Sequence, residues 1–320
     1  MNSHMKNTPL IRLGTRGSRL AIAQAHEFQK CLEKAHEVFK EPNSIEIVVI
    51  KTTGDKVQDR FLSEIGGKGL FMKEIEEALL ENRIDVALHS MKDMESLLTS
   101  GTELSCVLPR EEINDAFISN NAKSLADLPQ ASLIGTSSAR RAALIKNKRA
   151  DLQTVLFRGN VNTRLEKLDR GDVDATILAV AGLKRIGLAS RITHRFDLND
   201  MPPAVGQGAI GAQCRSPKSK ADNKLVEWLH TINHEESAIR VQAERAMLSK
   251  LGGTCQTPIA GFTNLINDSE IELNGYVISM DGSRLYKVCD KGPRSNATQL
   301  GNSVGERLLI KAGADLPGRH

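Results

Sequence analysis

The sequence predicts an α/β fold over its first two thirds and a C-terminal α+β domain. Short apolar strand-like runs alternate with stretches of helical period, the pattern of mostly parallel sheets with helices on both faces. The pattern then changes to one long helix and three strand-like runs, the last two joined by Asp281-Gly282, a hairpin signal. A length of 320 residues gives room for two or three domains.

Leu10, Ile11 and Leu13 make an apolar start, and Ser18 is placed to cap a helix. Ala21, Ala25, Phe28, Leu32 and Ala35 share one face of it. Residues 45–50 are a β-branched strand. Phe71, Ile75, Ala78 and Leu79 repeat the helical spacing, and residues 85–91 are a strand ending at Lys92-Asp93. A second unit begins near Asp115. Its strands are 133–136, 155–157 and 175–180. Its helices are 139–148, capped at Ser137-Ser138, and 162–170, stopped by Gly171. Residues 233–250 are one long helix, with Asn233 and Glu236 at capping-box spacing and Gly252-Gly253 as the stop. Residues 259–265, 271–279 and 284–289 are the last strands.

Composition narrows the function. Lys plus Arg number 43 against 39 for Asp plus Glu, a net charge of only +4, and aromatics are 3%. So small an excess argues against binding by phosphate neutralisation, and so few rings against a base-stacking platform. No nucleic-acid partner is expected. No apolar run reaches the ~20 residues of a membrane span, so no membrane partner is expected either. Residues 1–6 lack an apolar h-region and read as a cloning remnant, which makes a cytoplasmic enzyme the expectation. Five cysteines, with no Cys-x-x-Cys pair, argue against a disulfide framework or a thiolate metal site.

Three motifs fail their context. Gly206-Gln-Gly-Ala-Ile-Gly211 has the letters of a dinucleotide fingerprint, but Pro202-Pro203 stand where its strand belongs. A tight turn feeding a strand is the better reading. His230 and His234 are four apart, yet Thr231 replaces the glutamate of a zinc helix, so solvated or capping histidines are expected. Gly66-Gly-Lys68-Gly69 lacks the remainder of a phosphate loop.

A set of basic residues remains. Arg16, Arg140-Arg141, Arg158, Arg164 and Lys184-Arg185 each fall near the C-terminal end of a predicted strand, where open α/β sheets hold their ligands. Helix N-termini there favour anions, and arginine in a first helical turn opposes the dipole. Arg140, Arg141 and Arg164 therefore need another reason. Bidentate recognition of a ligand with several carboxylates or phosphates supplies one. Asp93 is the acidic exception: either a turn cap, or a carboxylate kept ionised by its basic neighbours to stabilise a cation on the substrate. Cys255 is the cysteine on a loop, either idle or a point of covalent attachment.

Gly66-Gly-Lys-Gly-Leu-Phe71, His89-Ser-Met-Lys-Asp93, Gly135-Thr-Ser-Ser-Ala-Arg-Arg141, Arg158-Gly-Asn160, Leu178-Ala-Val-Ala-Gly-Leu-Lys-Arg185, Pro203-Ala-Val-Gly-Gln-Gly208 and Cys255-Gln-Thr-Pro258 resemble, in order, the porphobilinogen deaminase (hydroxymethylbilane synthase) family. The resemblance implies two periplasmic-binding-protein-like lobes with mostly parallel sheets plus the C-terminal α+β domain. The first lobe would be 1–110 with 204–226, the second 111–203, and the third domain 227–320. It implies a dipyrromethane cofactor, thioether-linked to Cys255. The substrate would be porphobilinogen, four molecules of which are joined with loss of ammonia and then released by water as hydroxymethylbilane. Asp93 would stabilise the azafulvenium cation formed when ammonia leaves. Arg16, Ser18, Arg140, Arg141, Arg158, Arg164 and Arg185 would hold carboxylates. Lys92, Thr136, Ser137 and Ser138 would support cofactor and substrate, and Lys68 and Phe71 would belong to a lid. A monomer is expected. Met94-Glu95 follow Lys92-Asp93 where the family commonly has Val/Leu-Pro, and Arg19 stands where Pro is frequent.

Overall fold

The computed structural model describes residues 9–56, 69, 71–254 and 257–316. The first lobe contains β1 (Ile11–Arg16), β2 (Ile45–Ile50), β3 (Val86–Ser90) and β4 (Thr102–Val107). The second contains β5 (Asp115–Ile118), β6 (Leu133–Thr136), β7 (Gln153–Leu156), β8 (Ala175–Ala179) and β9 (His194–Arg195). The chain then returns to the first lobe as β10 (Ile210–Arg215). The sheets are ordered β2-β1-β3-β10-β4 and β7-β6-β8-β5-β9. In each, three parallel strands are followed by one antiparallel strand, β10 or β5, between the third and the last. The two-lobed α/β architecture expected from the sequence is the one observed.

The local signals explain most of these elements. Helix α1 (Arg19–Ala35) starts where the Ser18 hydroxyl accepts from the Ala21 amide at 3.2 Å, and it buries Ala21, Ala25, Phe28 and Leu32. Helix α2 (Lys73–Leu80) buries Ile75, Ala78 and Leu79. Ser138 caps α3 (Ala139–Lys148), and Asn160 caps α4 (Val161–Asp169) with a 3.0 Å bond from the Thr163 amide. A short α5 (Val180–Arg185) follows β8. The Gly206 and Gly208 segment is the tight turn feeding β10, with φ of 70° and 87°. A Cβ on Gly208 would overlap the Glu111 carbonyl, so the two crossings between the lobes run side by side only because this residue is glycine.

Helix α6 (Lys220–Thr231) was not anticipated. Ser219 caps it, and Leu225 and Leu229 enter the first lobe's core beside Phe28 and Leu32. A boundary at 226/227 therefore falls inside a helix. The capping box also needs correction. Helix α7 (Glu235–Leu251) is capped by His234, whose Nδ1 accepts from the Ser237 amide at 3.3 Å. Asn233 instead accepts from the Val107 amide at 2.9 Å and ties the start of α7 to β4. Gly252 ends α7 in the left-handed region, as its sequence position predicts.

The third domain adds β11 (Ile259–Leu265), β12 (Glu270–Ile278), β13 (Leu285–Pro293) and α8 (Ala297–Ala312). Strand alternation divides the sheet between two neighbours. Ile271, Leu273 and Val277 face α7 and α8, whereas Tyr276 and Ile278, with Phe262, pack on the second lobe's core.

Candidate active site

The C-terminal ends of the parallel strands converge on a cleft of about 500 Å³ between the lobes. Arg16 ends β1, Lys51 follows β2, and Lys92 and Asp93 lie on the 3-10 turn Met91–Asp93 after β3. Ser137 and Ser138 follow β6, and Arg158 follows β7. All of these line the cleft, with Arg140, Arg141, Arg164, Phe71 and Ser18. Three helix caps, Ser18, Ser138 and Asn160, lie on its wall, so three helix N-termini add their positive ends to the cationic side chains. The site suits an anion.

Asp93 is a carboxylate set among these cations. Arg16 Nη1 stands 4.0 Å from its Oδ2, and the Arg16 guanidinium lies 4.1 Å over the Phe71 ring. Next to it, burial pushes the Lys92 ammonium down to about 8; Asp93 opposes that shift and Arg141 adds to it. Burial likewise lowers Arg164 to about 10, aided by the like charges of Arg141 and Arg158.

The paired arginines have a structural partner that the sequence did not reveal. Asp115, fully buried at the start of β5, accepts from Arg140 Nη2 at 2.8 Å and from Arg141 Nη2 at 2.6 Å and Nε at 3.1 Å. Burial alone would raise this carboxyl, but the two guanidiniums outweigh it and hold the group well below the usual carboxylate range. Arg140 also donates to the Pro202 carbonyl and Arg141 to that of Ile177. First-turn position against the dipole is thus answered in part from inside the protein.

Two expected contacts lie elsewhere. Arg185 does not line the cleft; its Nε meets Glu27 Oε2 of α1 at 2.9 Å, a bridge between the lobes. Thr136 is buried at the end of β6, where its hydroxyl accepts from the Ser138 amide at 3.2 Å. Lys68 and Cys255 lie outside the described residues. Thr254 and Thr257, which flank that cysteine in the sequence, do line the cleft. Sequence reasoning missed Lys51, Asn160, Gln207 and, as a cleft residue, Glu95. Lys51 stands directly after a predicted strand and could have been found by the rule that found Arg16.

Residues 11–223 match the family described as "Porphobilinogen deaminase, dipyromethane cofactor binding domain", and residues 238–310 match "Porphobilinogen deaminase, C-terminal domain". The chain belongs to the porphobilinogen deaminase family. It is 48% identical over 306 residues to "Porphobilinogen deaminase, chloroplastic" of Oryza sativa subsp. japonica, covering 95% of this chain and 84% of that protein. Identity to the Pisum sativum protein of the same name is 48% over 315 residues, covering 97% and 84%. Its activity is that of a hydroxymethylbilane synthase in tetrapyrrole biosynthesis, and dipyrromethane is the cofactor of this porphobilinogen deaminase family. The expectation of a cytoplasmic enzyme is corrected: both relatives are named as chloroplastic. Among solved structures, a putative methionine-binding lipoprotein from Bacillus subtilis subsp. subtilis str. 168 is similar with a TM-score of 0.42 and 14% identity, covering 69% of this chain and 90% of that one.

Proposed function

We propose that the residues of this cleft divide the deaminase reaction between carboxylate binding and charge stabilisation. The observation that carries the reading is one half-buried carboxylate, Asp93, set in a wall of guanidinium and ammonium groups. The donor set fits dipyrromethane, whose two rings bear four carboxylates: Arg140, Arg141, Arg158, Arg164 and Lys92 would hold them, with the Ser137 and Ser138 hydroxyls beside them. When bound, that group supplies the pyrrole carbon that primes the chain. Arg16 would take a carboxylate of incoming porphobilinogen while its ring contact with Phe71 keeps it oriented. Asp93 opposes the positive charge left on that substrate as ammonia departs and accepts from its pyrrole N–H. The partner is this one small molecule, and a monomer is the assembly proposed.

Thr254 and Thr257 on the cleft wall support attachment at Cys255. The purified protein is expected to exceed its sequence mass by one dipyrromethane, and Cys255→Ala to remove the excess and the activity together. An active enzyme of unmodified mass would sink the assignment.

Lys92 gives the reading a pH signature. Its ammonium is charged below about 8 and neutral above, so kcat/KM for porphobilinogen is expected to fall as pH rises through that value. Lys92→Arg keeps the charge at higher pH and should abolish the alkaline fall. An unchanged alkaline limb in that variant would remove Lys92 from substrate binding.

A further inference from the structure

Glu95 is the second carboxylate of the cleft. Its Oε1 accepts from the Gly69 amide at 2.9 Å, and its own amide donates to Met72 Sδ at 3.3 Å. The first bond holds the side chain against Gly69 and the second holds the backbone against Met72, just before α2. Neither carboxylate oxygen meets a cation within ion-pair distance among the described residues, although seven cationic side chains share the cleft wall. A carboxylate can accept about four hydrogen bonds, so one from a backbone amide leaves most of its capacity unused. Arg245 is the cation that feels its charge, but Arg245 is buried on α7 and donates to the Ser96 carbonyl at 3.0 Å.

The substrate poses the matching problem. Porphobilinogen carries two carboxylates, which the arginines suit, and an aminomethyl group, which as an alkylamine is protonated at neutral pH. A cleft this basic repels that ammonium. Asp93 already faces Arg16, whereas Glu95 has no such partner among the described residues. We propose that Glu95 binds the ammonium of the incoming porphobilinogen before ammonia is lost. The inference rests on the deaminase activity stated above.

Glu95→Gln keeps an acceptor for the Gly69 amide and removes only the charge. In the holoenzyme, KM for porphobilinogen is expected to rise about tenfold, the scale of one charge-assisted hydrogen bond, with kcat within about twofold. The analogue in which methyl replaces the aminomethyl group should bind wild type and variant equally, and the melting temperature should not move. Equal weakening of both ligands, or a lowered melting temperature with it, would mean that Glu95 serves Arg245 or the Gly69 segment instead, and overturns the proposal. So does a wild type that consumes porphobilinogen beside a variant of unchanged KM, a result that leaves the activity itself standing.

Discussion

Asp93→Asn is expected to lose at least ~100-fold in turnover, the scale of removing a preorganised electrostatic partner. Asparagine matches the size of aspartate, and its amide oxygen still accepts from a pyrrole N–H. What it lacks is the charge that opposes the cation left on the substrate. The side chain is about one-third exposed and sits on a short turn at the end of β3, so little reorganisation is needed for it to act. Within the cleft the effective dielectric constant is lower than in open water, so that charge acts more strongly there. Asp93→Glu retains the charge on a longer arm and should fall less, because it misplaces the charge without abolishing it. The measurement is single-turnover ammonia release, with the mass of the enzyme-bound chains followed in parallel. Asparagine and glutamate variants of equal speed would show that charge is not what Asp93 contributes.

Asp115→Asn is expected to lower the melting temperature by on the order of 10 °C, since breaking a buried ion pair by removing one partner costs about 3–5 kcal/mol. Arg140 and Arg141 are 4% and 6% exposed at the side chain, and Asp115 is their shared counter-ion. Gln207 Nε2 also donates to Asp115 Oδ1 at 2.9 Å, so the loss reaches the second crossing between the lobes. The pH dependence follows from the depressed carboxyl. Its stabilisation is present above the ordinary carboxylate range and is lost as pH falls through that range toward the lowered value. The variant should therefore show a shallower loss of stability in acid than the wild type. Identical melting curves would mean that the guanidiniums need no counter-ion. For the same reason, turnover lost in an Arg140→Leu or Arg141→Leu variant must be read beside its melting temperature, because either change also disturbs Asp115.

Local chemistry was legible in the sequence where it acts locally. Ser18 and Ser138 cap the helices they were expected to cap, Gly252 ends α7, and Asp281-Gly282 turns β12 into β13. Arg16, Arg158 and Arg164 reach the cleft because strand ends in an open parallel sheet point there, a property of topology more than of neighbours. The same rule misplaced Arg185. It locates the edge of a sheet but not the direction of a long side chain, and Glu27, far away in sequence on the facing lobe, draws that guanidinium aside. Asp115 was visible only as the start of a unit, since its function depends on where α3 and the Pro202 segment come to rest. Asn233 and His234 could exchange capping roles because both can accept from an amide, and only the approach of β4 decides between them.

Strand β10 pairs with β3 on one side and β4 on the other, yet the whole second lobe separates it from them in the chain. On a ribosome the first lobe therefore cannot close its sheet when its own residues emerge. It must wait, with the facing edges of β3 and β4 unpaired, until more than ninety further residues have been made. The second lobe has no such debt, since β5 through β9 are contiguous. The sheet synthesised second is thus the first that can be completed, and the waiting edges are where a nascent chain is most exposed to mispairing or to a chaperone. Stalled chains ending before Ile210 should be protease-resistant in the second lobe and sensitive in the first.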